Sequence, residues 1–224
     1  MIRKLLSHRF PSEFGLSLDD VSLPLREEKD TFVLSDNKAC IECKKRRTNR
    51  ISCDEEILKI RSSSAVAVLA FEKYMSQYIG TKLKVKDVCD YLLFDERVNH
   101  HKIAFCDLTC SAAEWVEPNS GKYPEGKRAK AKTQMLQSLE YLLQEPLLAE
   151  NILTYVERVC LFGWREYGRP EEMADKPVRN SVTNNLQVFG KTPSSMAKQL
   201  TYPKNIIGHD FYFVQVKYPS LYEF

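Results

Sequence analysis

The sequence predicts an α/β fold: a single domain with a mixed central sheet flanked by helices. It divides into an N-terminal appendage over residues 1–60, an arm and hairpin packed on the core, and an α/β body over residues 61–224. Three observations lead there. The stretch Lys102-Ile-Ala-Phe-Cys-Asp-Leu-Thr-Cys110 is short, apolar on both sides and interrupted by one carboxylate, the pattern of a buried strand. Val85 to Phe94 reads as a second strand, in which Val88, Asp90, Leu92 and Phe94 share a face. Lys127 to Gln144 has apolar residues at helical spacing behind a Lys/Arg-rich start.

Composition limits the function classes. The 224 residues suffice for one substantial core, and 43% hydrophobic with 28% charged residues is ordinary for a soluble globular chain. No apolar run reaches the roughly 18 residues that a membrane span needs, so no membrane partner is expected. The basic start Met1 to Arg9 lacks a long hydrophobic region and a small-residue cleavage site, so no secretory signal is read. The net charge, 33 − 30 = +3, does not by itself mark a nucleic-acid binder. Seven cysteines are an odd number, and Cys89, Cys106, Cys110 and Cys160 lie in apolar runs. A disulfide framework is therefore not expected, and the reducing cytoplasm is the expected compartment. No Ser/His/Asp arrangement, phosphate-cradling glycine loop or dinucleotide fingerprint is present.

Taken in order, residues 1–30 carry Pro11 and Pro24 without a sustained period and read as an irregular arm. Thr31–Leu34 and Ala39–Cys43 flank the turn-like Ser35-Asp-Asn-Lys38 and predict a hairpin. Ser52-Cys-Asp-Glu55 has capping-box spacing and predicts a helix start. Ser63 to Ile79 is apolar around most of its circumference and predicts a buried helix ending at Gly80. The strands of Val85–Phe94 and Lys102–Cys110 follow, then a Pro/Gly-rich loop over 112–126, the helix, and a strand at Arg158–Trp164. Residues 167–208 are proline-rich and mostly irregular, with a short strand at Leu186–Phe189, and Asp210–Lys217 is the last strand.

Asp90 and Asp107 are the chemically loaded positions. Two carboxylates at the ends of neighbouring strands, with a basic helix after them, can hold a divalent cation beside a phosphate. Burying two unpaired carboxylates together is costly, and a metal removes that cost.

From about residue 63 to 165 this order of elements resembles the PD-(D/E)XK phosphodiesterase superfamily, the fold of many restriction and repair nucleases. The resemblance implies a restriction endonuclease-like core and metal-dependent hydrolysis of DNA phosphodiester bonds. It also implies Mg²⁺ (or Mn²⁺) as cofactor and a role in restriction, repair or defence. Asp90 stands where the first acid falls and Asp107 where the second falls. The Leu108 carbonyl can also face the metal, and Glu72 matches the helix glutamate that some members use. The departure is Thr109, which occupies the lysine position of the triplet and supplies no positive charge. Some members move that lysine to the following helix. There, an apolar stripe of Met135, Leu136, Leu139, Leu142 and Leu143 places Lys132 toward the sheet, with Arg128 behind it and Lys127 and Lys130 opposite. Lys132 is thus the expected replacement. Related nucleases often carry a glutamine on this helix, and Gln134 and Gln137 both fit.

Other signals are weaker. Glu42-Cys-Lys44 matches acid-X-lysine literally, with Asp30 or Asp36 upstream, but without a helix and hairpin before it. Cys40, Cys43 and Cys53 lack a local fourth ligand, so a structural Zn²⁺ is not expected. Lys44, Lys45, Arg46 and Arg47 form one basic cluster, and Lys127, Arg128 and Lys130 belong to a second; both are expected to contact nucleic acid, DNA foremost. Two further readings remain. One is a catalytically inactive nuclease-like subunit that binds nucleic acid or protein. The other is an assembly component that docks its aromatic C-terminus, Phe211 to Phe224, on a second copy or a partner subunit.

Overall fold

The computed structural model describes residues 1–36, 56–97, 101–111, 113–118, 125–166 and 206–224. The chain falls into two compact units, one of Met1–Tyr167 with Ile206–Phe224, the other of Gly168–Asn205. The second lies outside the described residues, as do the predicted strands at Ala39–Cys43 and Leu186–Phe189 and the capping box at Ser52.

The first unit is a mixed α/β structure built on one sheet. Its strands are β1 (Leu25–Leu34), β2 (Leu58–Ala70), β3 (Tyr91–Phe94), β4 (Lys102–Cys110), β5 (Glu157–Arg165), β6 (Ile206–Gly208), β7 (Phe211–Lys217) and β8 (Leu221–Glu223). They lie in the order β1-β2-β3-β4-β5-β7-β6, with β8 paired to the first part of β2. β2, β3 and β4 run antiparallel in turn, whereas β4, β5 and β7 are parallel. A parallel pair needs a crossover. The link from β4 to β5 contains two helices, α4 (Gly126–Leu143) and α5 (Pro146–Leu153). The earlier helices are α1 (Ile2–Lys4), which runs through a π-helical stretch Leu5–Arg9 into α2 (Phe10–Glu13), and α3 (Phe71–Met75).

The sheet is buried on both faces. On the helix side Leu92, Phe94, Ile103, Phe105, Cys160 and Phe162 pack with Ala131, Met135 and Leu139 of α4. On the other side Leu93, Ala104, Cys106, Leu108 and Leu161 pack with Phe32, Leu58 and Ile60. The start of β2 closes over this second face: a Cβ on Gly163 would meet Leu108 at 2.6 Å and Leu58 at 3.1 Å, so glycine permits the approach. The C-terminus is folded into the same sheet. β8 pairs with β2, and Phe224 N donates to Arg61 O at 2.8 Å. The buried Lys102 ammonium is held by Glu157 Oε2 at 2.8 Å and Glu223 O at 3.0 Å.

Three sequence expectations are corrected. The N-terminal arm is not irregular: Ile2, Leu6 and Phe10 are spaced for one helix face and are fully buried in the main core. Pro11, which has no N–H to give the helical ladder, lies just past the π-helical stretch within this continuous helical run. Tyr74 Oη donates to Leu6 O at 2.7 Å, tying this segment to α3. The helix expected at Ser63–Ile79 is instead the second half of β2 followed by the short α3. Val66 and Val68 face one core, Ala67 and Leu69 the other. All-round apolarity therefore marks a strand between two cores, a pattern that periodicity alone does not separate from a buried helix. Finally, the strand expected over Val85–Phe94 begins only at Tyr91; before it the chain turns, with positive φ at Lys84 and Asp87.

Candidate functional site

Asp90 and Asp107 are brought together. One step beyond the last β3–β4 pair, Tyr91 with Cys106, the ladder sets Asp90 opposite Asp107. Strand alternation puts both on the helix side, with Leu92, Phe94, Ile103 and Phe105. Directly opposed like charges are destabilising unless something compensates them. Asp90 is buried, and its Oδ2 accepts a hydrogen bond from Leu108 N at 2.7 Å. In a strand the N–H and C=O of a residue point to the same edge, so the Leu108 carbonyl is turned toward Asp90 as its N–H is. The Asp90 main chain is used too: its carbonyl accepts from Phe71 N at 2.8 Å and Glu72 N at 3.3 Å, the first free donors of α3. This places Glu72, half-buried, beside the pair.

The electrostatics agree with this grouping. The Asp90 carboxyl is held well above the usual carboxylate range, first by burial, then by the charge of Asp107 and that of Asp36, with Glu72 adding to it and the Leu108 N–H opposing it. Asp36, just past the end of β1, is a site residue that the sequence reading considered only as a companion of Glu42. Glu42 itself and Lys44 lie outside the described residues, and Asp30 is exposed at a bulge in β1.

Two lysines at the start of α4 lie in different places. Lys127 Nζ donates to Thr109 Oγ1 at 3.0 Å, so an ammonium from α4 stands over the position two residues beyond Asp107. Lys132 points elsewhere, its Nζ 4.5 Å from the Phe213 ring centre on β7. The physical reason is the helix phase. The residues of α4 buried against the sheet are Ala131, Met135, Ser138, Leu139 and Leu142, whereas Leu136 and Leu143 are only partly buried. Small residues allow the closest approach but contribute little to an apolar pattern. Lys127, Ala131, Gln134, Ser138 and Tyr141 follow one another at spacings of four, three, four and three, and that stripe was the legible signal. Arg128 pairs with Glu117 at 2.8 Å, and Lys130 is exposed. Lys44, Lys45, Arg46 and Arg47 lie outside the described residues, as do Cys40, Cys43 and Cys53.

The start of α4 is fixed by main chain. Gly126 has φ +70°, and a Cβ there would lie 2.5–2.7 Å from the main chain of Val116 and Glu117. Arg128 N donates to Val116 O at 3.0 Å. Gly126→Ala is expected to lower stability by about 1–3 kcal/mol, through strain and a displaced helix start. A denaturant titration followed by circular dichroism reads the loss.

Compared with known proteins, the chain has no significant match among family models, curated proteins or solved structures.

As to a metal, no group of three or more His, Cys, Asp or Glu among the described residues forms a coordinating cluster. The residues present nonetheless fit Mg²⁺, which is held by one or two carboxylates and keeps several waters. Asp90, Asp107 and the Leu108 carbonyl make such an oxygen set, and a cation would offset the charge of the buried Asp90 beside Asp107. No helix is long and apolar enough to cross a membrane among the described residues.

Proposed function

We propose that the chain is a Mg²⁺-dependent phosphodiesterase with a restriction endonuclease-like core, hydrolysing DNA backbone bonds. The observation that carries this reading is the juxtaposition of Asp90 opposite Asp107 on the helix side of the sheet, with the Lys127 ammonium two residues further along the same strand face. The order β2-β3-β4, the crossover through α4 and the parallel β5 support it as well. Asp90, Asp107 and the Leu108 carbonyl would hold the ion, and Glu72, whose main-chain N–H bonds the Asp90 carbonyl, would stand beside them. Bound there, Mg²⁺ supplies a Lewis acid for the phosphoryl oxygen and lowers the pKa of a coordinated water. Lys127 places positive charge where negative charge grows on the phosphate during attack, and its amine can orient the attacking water. β4 fixes Asp107 and the Leu108 carbonyl, and α4 carries the amine.

Incubation of the purified protein with plasmid and linear DNA in Mg²⁺, Mn²⁺ or EDTA tests the reading; metal-dependent cleavage supports it. Lys127→Ala is expected to reduce the cleavage rate by about 10²–10³, the usual loss on removing one charge-stabilising donor, while Lys132→Ala changes it little. Equal losses from both, or the larger loss from Lys132→Ala, would contradict the assignment of the amine.

Thr109 favours a second reading, in which the chemistry has decayed and the fold binds nucleic acid or a protein partner as a subunit of a larger assembly. It predicts salt-sensitive DNA binding without cleavage under any metal.

A further inference from the structure

Asp90 itself is tied to β4 through Leu108 N and to α3 through Phe71 N and Glu72 N, but the segment that leads to it, residues 86–89, lies outside the sheet, since β3 begins only at Tyr91. It is held by α4. Cys89 N donates to Ser138 Oγ at 2.9 Å, Gln134 Nε2 donates to Val88 O at 3.2 Å, and Lys86 N donates to Tyr141 Oη at 2.9 Å. The anchors are braced in turn: Ser138 Oγ donates to Gln134 O at 2.7 Å, and Gln137 Nε2 donates to Tyr141 Oη at 3.0 Å. All the bonds to the segment are made to main-chain groups, so they fix the path of residues 86–89 whatever the side chains there. They also come from the helix stripe that begins with Lys127.

We propose that Ser138 and Gln134 are positioning residues that hold Asp90 opposite Asp107 at the separation a divalent cation requires. The proposal rests on the nuclease reading and deepens it: α4 carries the amine at Thr109 and, two and three turns later, the anchors of the metal-binding acid. One helix therefore bears on the position of both the amine and Asp90. The physical need is specific. The turn before β3, with positive φ at Lys84 and Asp87, forms no ladder of its own, so its path depends on these bonds. Ser138 and Cys89 are fully buried, so no water replaces the lost partner when the hydroxyl is removed. Groups that orient metal ligands from behind typically change affinity by about 10–100-fold when removed.

The test is calorimetric titration of the full-length protein with Mn²⁺ and with Mg²⁺, well below its melting temperature. The proteins compared are wild type, Ser138→Ala, Gln134→Met and Asp107→Ala, each checked for native circular dichroism. Wild type is expected to bind and Asp107→Ala to lose binding. Ser138→Ala and Gln134→Met are expected to bind at least about tenfold more weakly while remaining folded. Gln134 is only partly buried and methionine keeps its length without the donor, so this variant carries the test if Ser138→Ala does not fold. A purely structural role would lower the melting temperature yet leave the affinity of the folded protein unchanged. Wild-type affinity in either folded variant would overturn the clamp and leave the nuclease reading standing. Absence of metal binding by the wild type would overturn that reading and the clamp with it.

Discussion

Asp107→Asn is expected to lower metal-dependent DNA cleavage by at least about 10²-fold while leaving the protein folded. The size follows from what the residue does. Asp107 is partly exposed on the last turn of strand before Thr109, opposite Asp90, so its carboxylate faces the space where a cation and a phosphate would meet. Amide for carboxylate keeps the shape and removes one charged ligand from a set that has only two acids in direct opposition. A Lewis acid held by one carboxylate fewer is bound more weakly and oriented less well, and loss of electrostatic stabilisation of this kind costs roughly 3–4 kcal/mol of barrier. Single-turnover cleavage at saturating Mg²⁺ and at tenfold higher Mg²⁺ separates weaker binding from a slower chemical step. Cleavage by Asp107→Asn at the wild-type rate would refute the proposed mechanism.

Asp90→Asn is expected to do something less usual, raising the stability of the metal-free protein while removing its response to metal. The Asp90 carboxyl binds its proton more tightly in the folded chain than in the unfolded one, because burial and the charges of Asp107, Asp36 and Glu72 all disfavour the anion. The native state therefore holds more protons than the unfolded state, and stability falls as pH rises. Its contribution is intact below the ordinary carboxylate pKa of about 4 and is lost as pH climbs from there through the raised folded value. Asparagine retains an oxygen to accept the Leu108 N–H and carries no charge. At neutral pH the gain is expected to be about 1–3 kcal/mol, or about 2–4 °C in Tm per kcal/mol for a chain of this size. The difference should grow as pH rises above that ordinary value. Added Mg²⁺ should stabilise the wild type, since a ligand that binds only the native state adds RT ln(1 + [L]/Kd), and should leave Asp90→Asn unmoved. Thermal melts of both proteins across a series of rising pH, with Mg²⁺ and with EDTA, read all three effects. A wild type more stable than Asp90→Asn in EDTA at pH 8 would refute the account.

Stability opposed to function at one residue is the expected mark of a site held in an unfavourable electrostatic state. It also distinguishes Asp90, just before β3, from the buried acid just after it. Asp95 is fully buried but accepts from Arg97, His101 N and Lys102 N, so its charge is spent on closing the turn.

Much of this was legible in the residues. The alternation of Ile103, Phe105, Asp107 and Thr109 against Ala104, Cys106 and Leu108 assigns Asp107 to one face of a strand buried on both, and the two cores confirm that assignment. The boundaries of α4 and β5 followed from apolar spacing in the same way. Two kinds of element were misread. Val66 to Leu69 was read as helix because an unbroken apolar run has no period to reveal, and only the presence of a core on each side of the sheet makes it a strand. The phase of α4 was misread because Ala131 and Ser138, which lie against the sheet, are small or polar and contribute little to an apolar stripe.

The sequence by itself determined local matters: that Lys102–Cys110 is a strand buried on two faces, which helix follows it, and that Asp107 lies near its end. Short-range patterns carry these because period and spacing are properties of consecutive residues. The tertiary structure alone decided that Lys127 meets Thr109, that the charges of Asp36 and Glu72 act on Asp90, and that α4 holds the turn before Asp90 by its main chain. Those are contacts between residues 18 to 49 positions apart or more, such as Lys127 with Thr109 and Ser138 with Cys89. They depend on a helix rotation of a few tens of degrees, which packing against a sheet fixes and apolar spacing only brackets.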